Sequence, residues 1–317
     1  ITGQDGSWLC DLLVAKGYEV TGLVRRTSTP STSRIRGHVE AGTVALCYGD
    51  MADSESLNTA LKQVRPDEVY HLAAQSHVGL SFELPVHTAD VVALGTARLL
   101  EAVRRHAPEA RLYNACSSEI FGNATGLQDE RTPLAPRNPY AAAKVHGHLL
   151  CHVHREAYAM HVCSGILFNH ESERRGERFV TRKITRAVGR IVAGTQRTLM
   201  LGNLDARRDW GHAEDYVEAM WRMLQRDTPG DYVIATGTAH SVRDFAELAF
   251  EHAGLTWSDH VEVASHLKRP ADVDSLCGDA SKATRELGWR PTTDFATLVR
   301  RMVEHDIALA ERERDSL

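Results

Sequence analysis

The sequence predicts an α/β fold in which a doubly wound parallel sheet is followed by a smaller C-terminal α/β domain. From residue 1 to about 168, short apolar runs alternate with helical stretches, a pattern that is typical of parallel βαβ units. A turn with two glycines, Thr2 to Gly6, opens the first helix, and such a turn can bind a phosphate through its backbone N–H groups. Beyond residue 168 the pattern changes, because basic residues follow one another closely.

In the first part of the chain we expect the elements of a Rossmann-type sheet. The apolar runs predict strands at 18–24, 44–48, 68–74, 111–115 and 162–168. Helices are predicted at 4–17, after Ser54 as the N-cap, at 88–106 and at 140–158. The polar stretch 27–42 is predicted to be a long exposed loop, and the proline-containing stretch 121–139 is predicted to be another.

In the second part, the apolar spacing predicts helices at 179–192, 213–225, 282–289 and 294–310, with one more capped by Ser241. Short strands are predicted at 199–202 and 232–236. We therefore expect residues 1–168 to form a nucleotide-binding domain and 169–317 mainly a substrate domain, with about 205–240 returning to the main sheet. A buried strand and an earlier glycine normally precede a dinucleotide-binding turn. Neither stands before Ile1, so we expect that first strand to lie outside this sequence.

Composition narrows the class of protein. The chain has 317 residues, 43% of them hydrophobic, which is sufficient for about two domains with their own cores. The net charge of −5 argues against a general binder of nucleic acids or membrane surfaces. Six cysteines without a C-x-x-C spacing indicate reduced thiols and a cytoplasmic protein. No apolar run approaches the roughly 18 residues that a membrane span requires.

A tyrosine and a lysine, Tyr140 and Lys144, lie four residues apart at the start of a predicted helix. On a helix this spacing places them on one face, with their Cβ atoms roughly 5–6 Å apart. A fixed ammonium group lowers the cost of using a tyrosine as a base, because it favours the phenolate. The pair therefore indicates hydride chemistry, and the alternative is an ordinary surface pair.

Two arginines, Arg25 and Arg26, follow the apolar run at 18–24, where an NAD-binding sheet usually carries an acid. Arginine suits the 2′-phosphate of NADP, whereas an acid binds the ribose hydroxyl of NAD. The alternative is a solvated basic loop. The arginines and lysines of 174–190 similarly favour a diphosphate group, unless they form only a solvated helix face.

His148 and His152 have the spacing of two metal ligands on a helix. No H-E-x-x-H motif is formed and no third ligand is evident, so we expect no metal site.

Together these features resemble the extended short-chain dehydrogenase/reductase superfamily. Longer phrases are similar to those of the GDP-mannose 4,6-dehydratase family: TGQDGS at 2–7, HLAAQSHV at 71–78, GILFNHES at 165–172, FVTRKI at 179–184, LGNLD at 201–205 and RDWGHA at 208–213. The likeness runs nearly end to end, through RPADVD at 269–274.

The resemblance implies a lyase that dehydrates GDP-mannose through bound NADP. In that reaction Tyr140, supported by Lys144, takes the proton of the sugar 4-hydroxyl while NADP accepts hydride from C4. Glu119 then removes the C5 proton, the 6-hydroxyl leaves as water with help from Glu119 and Ser117, and the hydride returns to C6. The product, a GDP-4-keto-6-deoxy-sugar, serves deoxysugar biosynthesis.

The resemblance also implies the binding residues. Those for NADP are Thr2, Gly3, Gln4, Asp5, Gly6, Arg25, Arg26, Thr27, Ser28, Asp50, Met51, Leu72, Ala73, Ala74, Gln75, Ser76, Tyr140, Lys144, His170 and Arg175. Those for the GDP-sugar are Ser76, Ser117, Glu119, Asn169, Lys183, Gly202, Arg208, Arg269 and Asp272. The chain departs from the family where Ser117 replaces a frequent Thr, His87 a frequent Tyr and Asp272 a frequent Glu.

Other functions remain open at this point. A dehydratase of another GDP-hexose or heptose would differ only in pocket shape. A nucleotide-sugar 4-epimerase or reductase would use Tyr140 and Lys144 without needing Glu119, and a non-catalytic nucleotide-binding subunit would need none of the three. By resemblance we also expect a homo-oligomer, a tetramer rather than a dimer, in which the loop at about 25–38 approaches a neighbouring subunit.

Overall fold

The structure is a computed structural model that describes residues 1–29, 31–264, 271 and 273–316. Its strands are β1 Val20–Val24, β2 Val44–Tyr48, β3 Glu68–His71, β4 Arg111–Ser117, β5 Val162–Leu167, β6 Asn169–Glu171, β7 Leu199–Leu201, β8 Arg207–His212, β9 Asp231–Ile234, β10 Ala239–Ser241, β11 Val261–Val263 and β12 Ser275–Leu276. Its helices are α1 Gln4–Ala15, α2 Arg36–Glu40, α3 Ser54–Val64, α4 Val78–Glu83, α5 Pro85–Thr88, α6 Gly95–His106, α7 Pro139–Tyr158, α8 Val180–Val192, α9 Ala213–Leu224, α10 Val242–His252, α11 Ser281–Leu287 and α12 Phe295–Arg314.

A parallel sheet with strand order β3-β4-β5-β9 forms the centre of the molecule, and β1 and β2 form a second parallel pair. Neighbouring residues of a strand point to opposite faces, so Leu112 of β4 packs into a core with α3 and α6, while Tyr113 packs into one with α1 and α9. Helices thus cover both faces, and the predicted doubly wound α/β fold is confirmed.

The first residue of the chain packs beside β1. The amino group of Ile1 donates a hydrogen bond to the carbonyl of Leu23 over 3.4 Å. Gly6 at the start of α1 allows this approach, because a Cβ there would lie 2.5 Å from the carbonyl oxygen of Ile1. The helix and the strand therefore lie close together at the glycine turn.

The second region begins directly after β5. β6 pairs with β8, which also pairs with β10 and β12, and β7 pairs with β11. Its core combines Ile184 of α8, Phe245 of α10 and Met302 of α12. Between these elements the chain returns to the main sheet as β9, parallel to β5. The division of the chain at about residue 168 stays a prediction.

Two local predictions were wrong. The stretch 27–42 is not a plain loop, because Ser33–Ile35 is a 3₁₀ turn and α2 follows, with Ile35 fully buried. The N-cap of α3 is Asp53, whose carboxylate accepts a hydrogen bond from the Glu55 N–H over 3.0 Å, and Ser54 is the first helical residue. The helix predicted at 88–106 is confirmed, and its first part is a π-helical segment, Ala89–Leu94, that continues into α6.

No helix among the described residues has both the length and the apolar character that crossing a membrane would need.

Candidate active site

A serine and a glutamate lie where β4 ends at the carboxyl edge of the sheet. Ser117 is the last residue of the strand, and the chain then turns through the 3₁₀ segment Ser118–Phe121. The Ser117 hydroxyl oxygen accepts a hydrogen bond from the Glu119 N–H over 3.3 Å, which caps this turn. The Glu119 side chain is buried, so its carboxylate is held in a largely water-free corner of the molecule.

Helix α7 presents Tyr140 and Lys144 to the same edge. Asn138 is its N-cap, with the side-chain oxygen accepting from the Ala141 N–H over 2.8 Å, and Pro139 occupies the first turn. Tyr140 and Lys144 are both buried. The Lys144 ammonium donates to the carbonyl of Ala115 over 2.6 Å and lies 5.8 Å from the centre of the Tyr140 ring.

The ionisation of this pair differs from what the spacing alone suggests. Burial raises the pKa of the Tyr140 phenol, and the nearby Cys116 and Glu119 raise it further, while the Ser117 hydroxyl and Arg175 act in the opposite direction. Burial also lowers the pKa of Lys144. One of the three ammonium N–H donors of Lys144 is directed to the backbone carbonyl of Ala115.

The Glu119 carboxylate has a partner that the sequence reasoning missed. The side-chain N–H₂ of Asn138 donates to Oε2 of Glu119 over 2.9 Å. An asparagine followed by proline at a helix start is a recognisable N-cap signal, but nothing in the sequence indicates that its other end reaches the glutamate.

Residues predicted to bind the cofactor surround the start of α1. Gly3 is the N-cap, and no described side chain caps the first turn. Gln4 donates to the carbonyl of His170 over 3.0 Å and to Asp5 over 3.0 Å. Thr2 is half-buried and Gly3 is exposed. The backbone N–H groups of this turn therefore face a side of the molecule that an anion can approach.

Two of the predicted cofactor residues bind each other. His170 Nε2 lies 3.0 Å from Asp5 Oδ2, and Nδ1 donates to the carbonyl of Phe168 over 2.8 Å. Burial raises the pKa of Asp5, but the charge and hydrogen bond of His170 outweigh it and hold the pKa well below its ordinary value. Burial lowers the pKa of His170, and Asp5 reverses this, so that pKa is raised. The pair is therefore ionic, and it joins α1 to β6.

The remaining cofactor candidates follow the other parallel strands. Arg25, Arg26, Thr27 and Ser28 are exposed after β1. The guanidinium of Arg26 lies 4.9 Å from the centre of the Tyr48 ring.

After β2 and β3 the candidates lie deeper. Asp50 is half-buried and Met51 is buried after β2. Leu72, Ala73, Ala74, Gln75 and Ser76 follow β3, where Gln75 donates to the Thr88 hydroxyl over 3.1 Å. All of these segments lie at the carboxyl ends of parallel strands, where α/β sheets bind nucleotides.

Arg175 connects this edge to the second region. Its Nε lies 3.0 Å from Oε2 of Glu171, and its guanidinium lies 3.6 Å from the centre of the Phe179 ring. Its charge also lowers the pKa of Tyr140. Arg175 therefore acts electrostatically on the phenol of Tyr140.

The substrate candidates are spread over β6, α8, β7 and β8. Asn169 opens β6, next to Trp210 of β8. Lys183 on α8 donates to the carbonyl of Met200 over 2.6 Å, beside Gly202. Arg208 is buried and donates to the carbonyl of Val273 over 2.8 Å. Arg269 and Asp272 lie outside the described residues, so the full substrate set stays a prediction.

No group of three or more histidine, cysteine, aspartate or glutamate side chains is arranged to hold a metal ion within the described part of the chain. His152 lies 3.2 Å from Glu156 instead.

Comparison with known proteins gives the family. The chain matches the family described as GDP-mannose 4,6 dehydratase over residues 1–302. It is 53% identical to GDP-mannose 4,6 dehydratase 1 of Arabidopsis thaliana, over 99% of this chain and 90% of that protein. It is 48% identical to the human GDP-mannose 4,6 dehydratase, over 98% of this chain and 90% of that protein. The Vibrio cholerae GDP-mannose 4,6-dehydratase is 45% identical over 98% of this chain and 93% of its own length.

Solved structures share the fold. A UDP-glucose 4-epimerase of Thermus thermophilus, solved in complex with NAD, has a TM-score of 0.86 and 27% identity over 96% of each chain. A dTDP-glucose 4,6-dehydratase of Streptomyces venezuelae, also with NAD bound, has a TM-score of 0.87 and 24% identity over 96% of this chain and 94% of that chain. RMD of Pseudomonas aeruginosa, complexed with NADPH, has a TM-score of 0.77 and 22% identity over 90% of this chain and 99% of that chain.

Proposed function

The chain belongs to the GDP-mannose 4,6 dehydratase family, and we propose that it converts GDP-D-mannose to GDP-4-keto-6-deoxy-D-mannose and water. The observation that carries this proposal is the buried Glu119 carboxylate, held beside Ser117 and the first turn of the helix with Tyr140 and Lys144. Oxidation at C4 alone would need only the tyrosine and the lysine, whereas elimination across C5 and C6 needs a further base. The protein is accordingly a hydro-lyase.

Each residue has a distinct part in the reaction. Tyr140 accepts the proton of the 4-hydroxyl, with the Ser117 hydroxyl next to it. The resulting ketone at C4 makes the C5 proton acidic, so Glu119 can remove it. Glu119 then returns a proton to the departing 6-hydroxyl, which leaves as water. When C6 is reduced, C5 takes up a proton, and the proton that Tyr140 accepted balances this uptake. Ser117 accepts a hydrogen bond from the Glu119 N–H, and Lys144 donates one to the carbonyl of Ala115, so both contacts fix the backbone around the reacting groups.

A nicotinamide cofactor fits the residues present. The uncapped glycine turn at α1 suits a pyrophosphate, and Arg174 keeps a buried guanidinium N–H without a hydrogen-bond partner among the described residues. When bound, the oxidised nicotinamide supplies positive charge that favours the Tyr140 phenolate, and it carries the hydride from C4 to C6. The NAD- and NADPH-bound structures with the same fold support a cofactor of this class.

We propose NADP rather than NAD, since exposed Arg25 and Arg26 after β1 suit a 2′-phosphate. Replacing both with Ala should weaken NADP binding about tenfold or more, because charged hydrogen bonds are lost. Binding of NAD should change little. Fluorescence titration with both cofactors checks this, with exposed Arg105→Ala on α6 as the matched control. An equal loss for the two cofactors would contradict the assignment.

The direct test of the function is incubation with GDP-mannose and only a trace of NADP. We expect many turnovers, a product lighter by one water, and no net accumulation of reduced cofactor, because the hydride is returned within each cycle. Turnover that stops once the trace of NADP has been reduced, and that resumes in proportion to further NADP added, would identify a simple dehydrogenase instead. A product that is a different sugar of unchanged mass would identify an epimerase. Turnover of another GDP-hexose but not of GDP-mannose would show that the proposed substrate is wrong.

We also propose that the protein is a cytoplasmic homo-oligomer, a tetramer in preference to a dimer. Leu149 and Val153 of α7 and Leu94 of the adjoining π-helical segment leave about half of each side chain exposed, and a second copy would cover them. Sedimentation of the wild type and of Val153→Glu tests this, because a charge on that face should lower the oligomeric mass. The free cysteines support a reducing compartment.

A further inference from the structure

Asn138 lies between Glu119 and the helix that carries Tyr140 and Lys144. Its side-chain oxygen accepts a hydrogen bond from the Ala141 N–H over 2.8 Å, which fixes the orientation of the amide. The N–H₂ group must then point the other way, and there it donates to Oε2 of Glu119 over 2.9 Å. The Asn138 side chain is itself buried, so water does not compete strongly for either contact.

The amide can act on the Glu119 carboxylate in two ways. A donor to a buried carboxylate favours its ionised form, because the hydrogen bond is charge-assisted. It also occupies Oε2 and leaves Oε1 for another partner. Glu119 forms no ion pair with any residue in the described ranges, so Asn138 is a substantial part of what keeps this charge in place.

The same side chain also sets the start of α7. As the N-cap, Asn138 marks the start of the helix, two residues before Tyr140 and six before Lys144. An N-cap fixes where the first helical turn begins, and Pro139 restricts the backbone at the next position. A shift of Asn138 would therefore move the phenol and the carboxylate relative to each other.

We propose that Asn138 is a positioning residue that holds the Glu119 carboxylate in register with the helix carrying Tyr140 and Lys144. This inference rests on the proposed dehydratase function. It predicts that changes at Asn138 affect the elimination at C5 and C6 more than the oxidation at C4, because the tyrosine and lysine keep their own contacts with Ser117 and Ala115.

Two variants separate the two roles of the amide. Asn138→Asp keeps a good helix cap but replaces the donor with a carboxylate that faces Glu119, and two carboxylates this close share a proton. Asn138→Ser also keeps a cap and removes the contact without adding charge. Asp294→Ala, which removes the N-cap of the distant helix α12, is the control for the general effect of losing a cap.

The titratable and charged groups at this corner are Glu119 itself, Tyr140 and Lys144 on α7, and Arg175 after β6. Arg175 acts on the phenol with the opposite sign to Glu119. In Asn138→Asp the acid limb of the pH profile for product formation should therefore move to higher pH by about one unit or more, because a second negative charge favours the protonated pair. In Asn138→Ser the rate should fall about tenfold, and the acid limb should move in the same direction by less, because the donor is lost without an added charge.

The rapid-mixing experiment follows nicotinamide absorbance and product in the same single turnover. In both Asn138 variants, reduced nicotinamide should build up transiently because elimination lags behind oxidation, and in Asp294→Ala it should not. Unfolding curves check that all three variants are folded. If oxidation at C4 and elimination across C5 and C6 keep their wild-type relative rates in both Asn138 variants, and the pH profile does not move, the positioning role is overturned.

The outcome is distinguishable from a failure of the proposed function. If the wild type forms no dehydrated product from GDP-mannose, the dehydratase assignment fails first. If the wild type dehydrates GDP-mannose but the Asn138 variants lose oxidation and elimination equally, the function stands and the inference about Asn138 is wrong.

Discussion

Two side chains of opposite chemical character, the Tyr140 phenol and the Glu119 carboxylate, divide the proposed reaction between them. Both side chains are buried. Glu119 follows Ser117 by two residues and contacts both Ser117 and Asn138, and Tyr140 follows the N-cap Asn138 by two residues. Burial raises the pKa of the phenol, so it is a proton donor in the resting protein and becomes a base only when positive charge is brought next to it.

The division of labour predicts different defects for two conservative variants. Tyr140→Phe should lose C4 oxidation by about 10²–10⁴-fold, since no group remains to accept the hydroxyl proton. Glu119→Gln should still oxidise C4, and should accumulate reduced nicotinamide with little product. Single-turnover absorbance with product analysis distinguishes them. Undiminished dehydration by Glu119→Gln would remove that residue from the mechanism.

The ion pair of Asp5 and His170 has a pH dependence that can be worked out from its signs. The pKa of His170 is raised, so its contribution to stability is complete below about 6.5, the ordinary histidine value, and is lost as the pH rises through the folded pKa. The pKa of Asp5 is lowered, so its contribution is present above about 3.9 and is lost as the pH falls through the folded pKa. The pair is therefore strongest in the acidic range between these values.

We accordingly predict that Asp5→Asn is destabilising in a pH-dependent way. Its loss of unfolding free energy, relative to the wild type, should be about 1.5–3 kcal/mol at pH near 6 and smaller well above the raised pKa of His170. Urea denaturation of the cofactor-free protein at the two pH values measures it. The control Asp205→Asn removes an exposed carboxylate paired with Arg243. Its unfolding free energy should differ from that of the wild type by the same small amount at both pH values.

At the scale of elements, β8 is the strand that ties the second region to the main sheet. Asp209 in β8 is fully buried, and its carboxylate accepts hydrogen bonds from the N–H groups of Thr236, Gly237 and Gly278 over 2.8, 2.8 and 3.3 Å. Thr236 and Gly237 lie just after β9, and Gly278 just after β12. One carboxylate thus joins three segments.

Removing this carboxylate should loosen the strand that carries Arg208. Asp209→Ala should cost about 3 kcal/mol of unfolding free energy, because buried N–H groups lose their acceptor, and should raise KM for GDP-mannose more than it lowers kcat. Asp205→Ala, on the exposed side of the same segment, should stay within about 0.5 kcal/mol of the wild type. Denaturation and steady-state kinetics check both, and equal KM values would contradict a role for β8 in holding substrate.

Which elements could be predicted follows from how they are stabilised. An apolar strand of the main sheet that is buried on both faces leaves a readable signal, as in β5. β8 was not predicted, because its residues Arg207–His212 are mostly polar or charged, and hydrogen bonds from other segments make their burial possible. β6, β10 and β12 are too short for any period to show.

The same distinction applies to the site. Tyr140 and Lys144 are predictable because four residues along one helix fix their relation. The contact of Asn138 with Glu119 and the pair of Asp5 with His170, 165 residues apart in the chain, depend on how separate elements meet. No local spacing encodes such a meeting, so these contacts required the structure.

At the scale of the whole molecule, the chain leaves the sheet after β5, forms the second region and returns as β9 beside β5. β5 therefore lies between β4, which ends in the proposed catalytic residue Ser117, and the returning strand β9. It is followed directly by β6, which carries Asn169 and His170. The cofactor candidates and the proposed catalytic residues consequently lie at one edge of the sheet, and the substrate candidate Asn169 follows β5 at the same edge.

The central claim, dehydration by internal hydride transfer, is tested most directly by following one hydrogen. GDP-mannose that carries deuterium at C4 should give a product with that deuterium at C6 of the same molecule, and in heavy water one solvent deuterium should enter at C5. Nuclear magnetic resonance and mass spectrometry locate both. Deuterium that remains at C4, or that accumulates in released cofactor, would contradict the account.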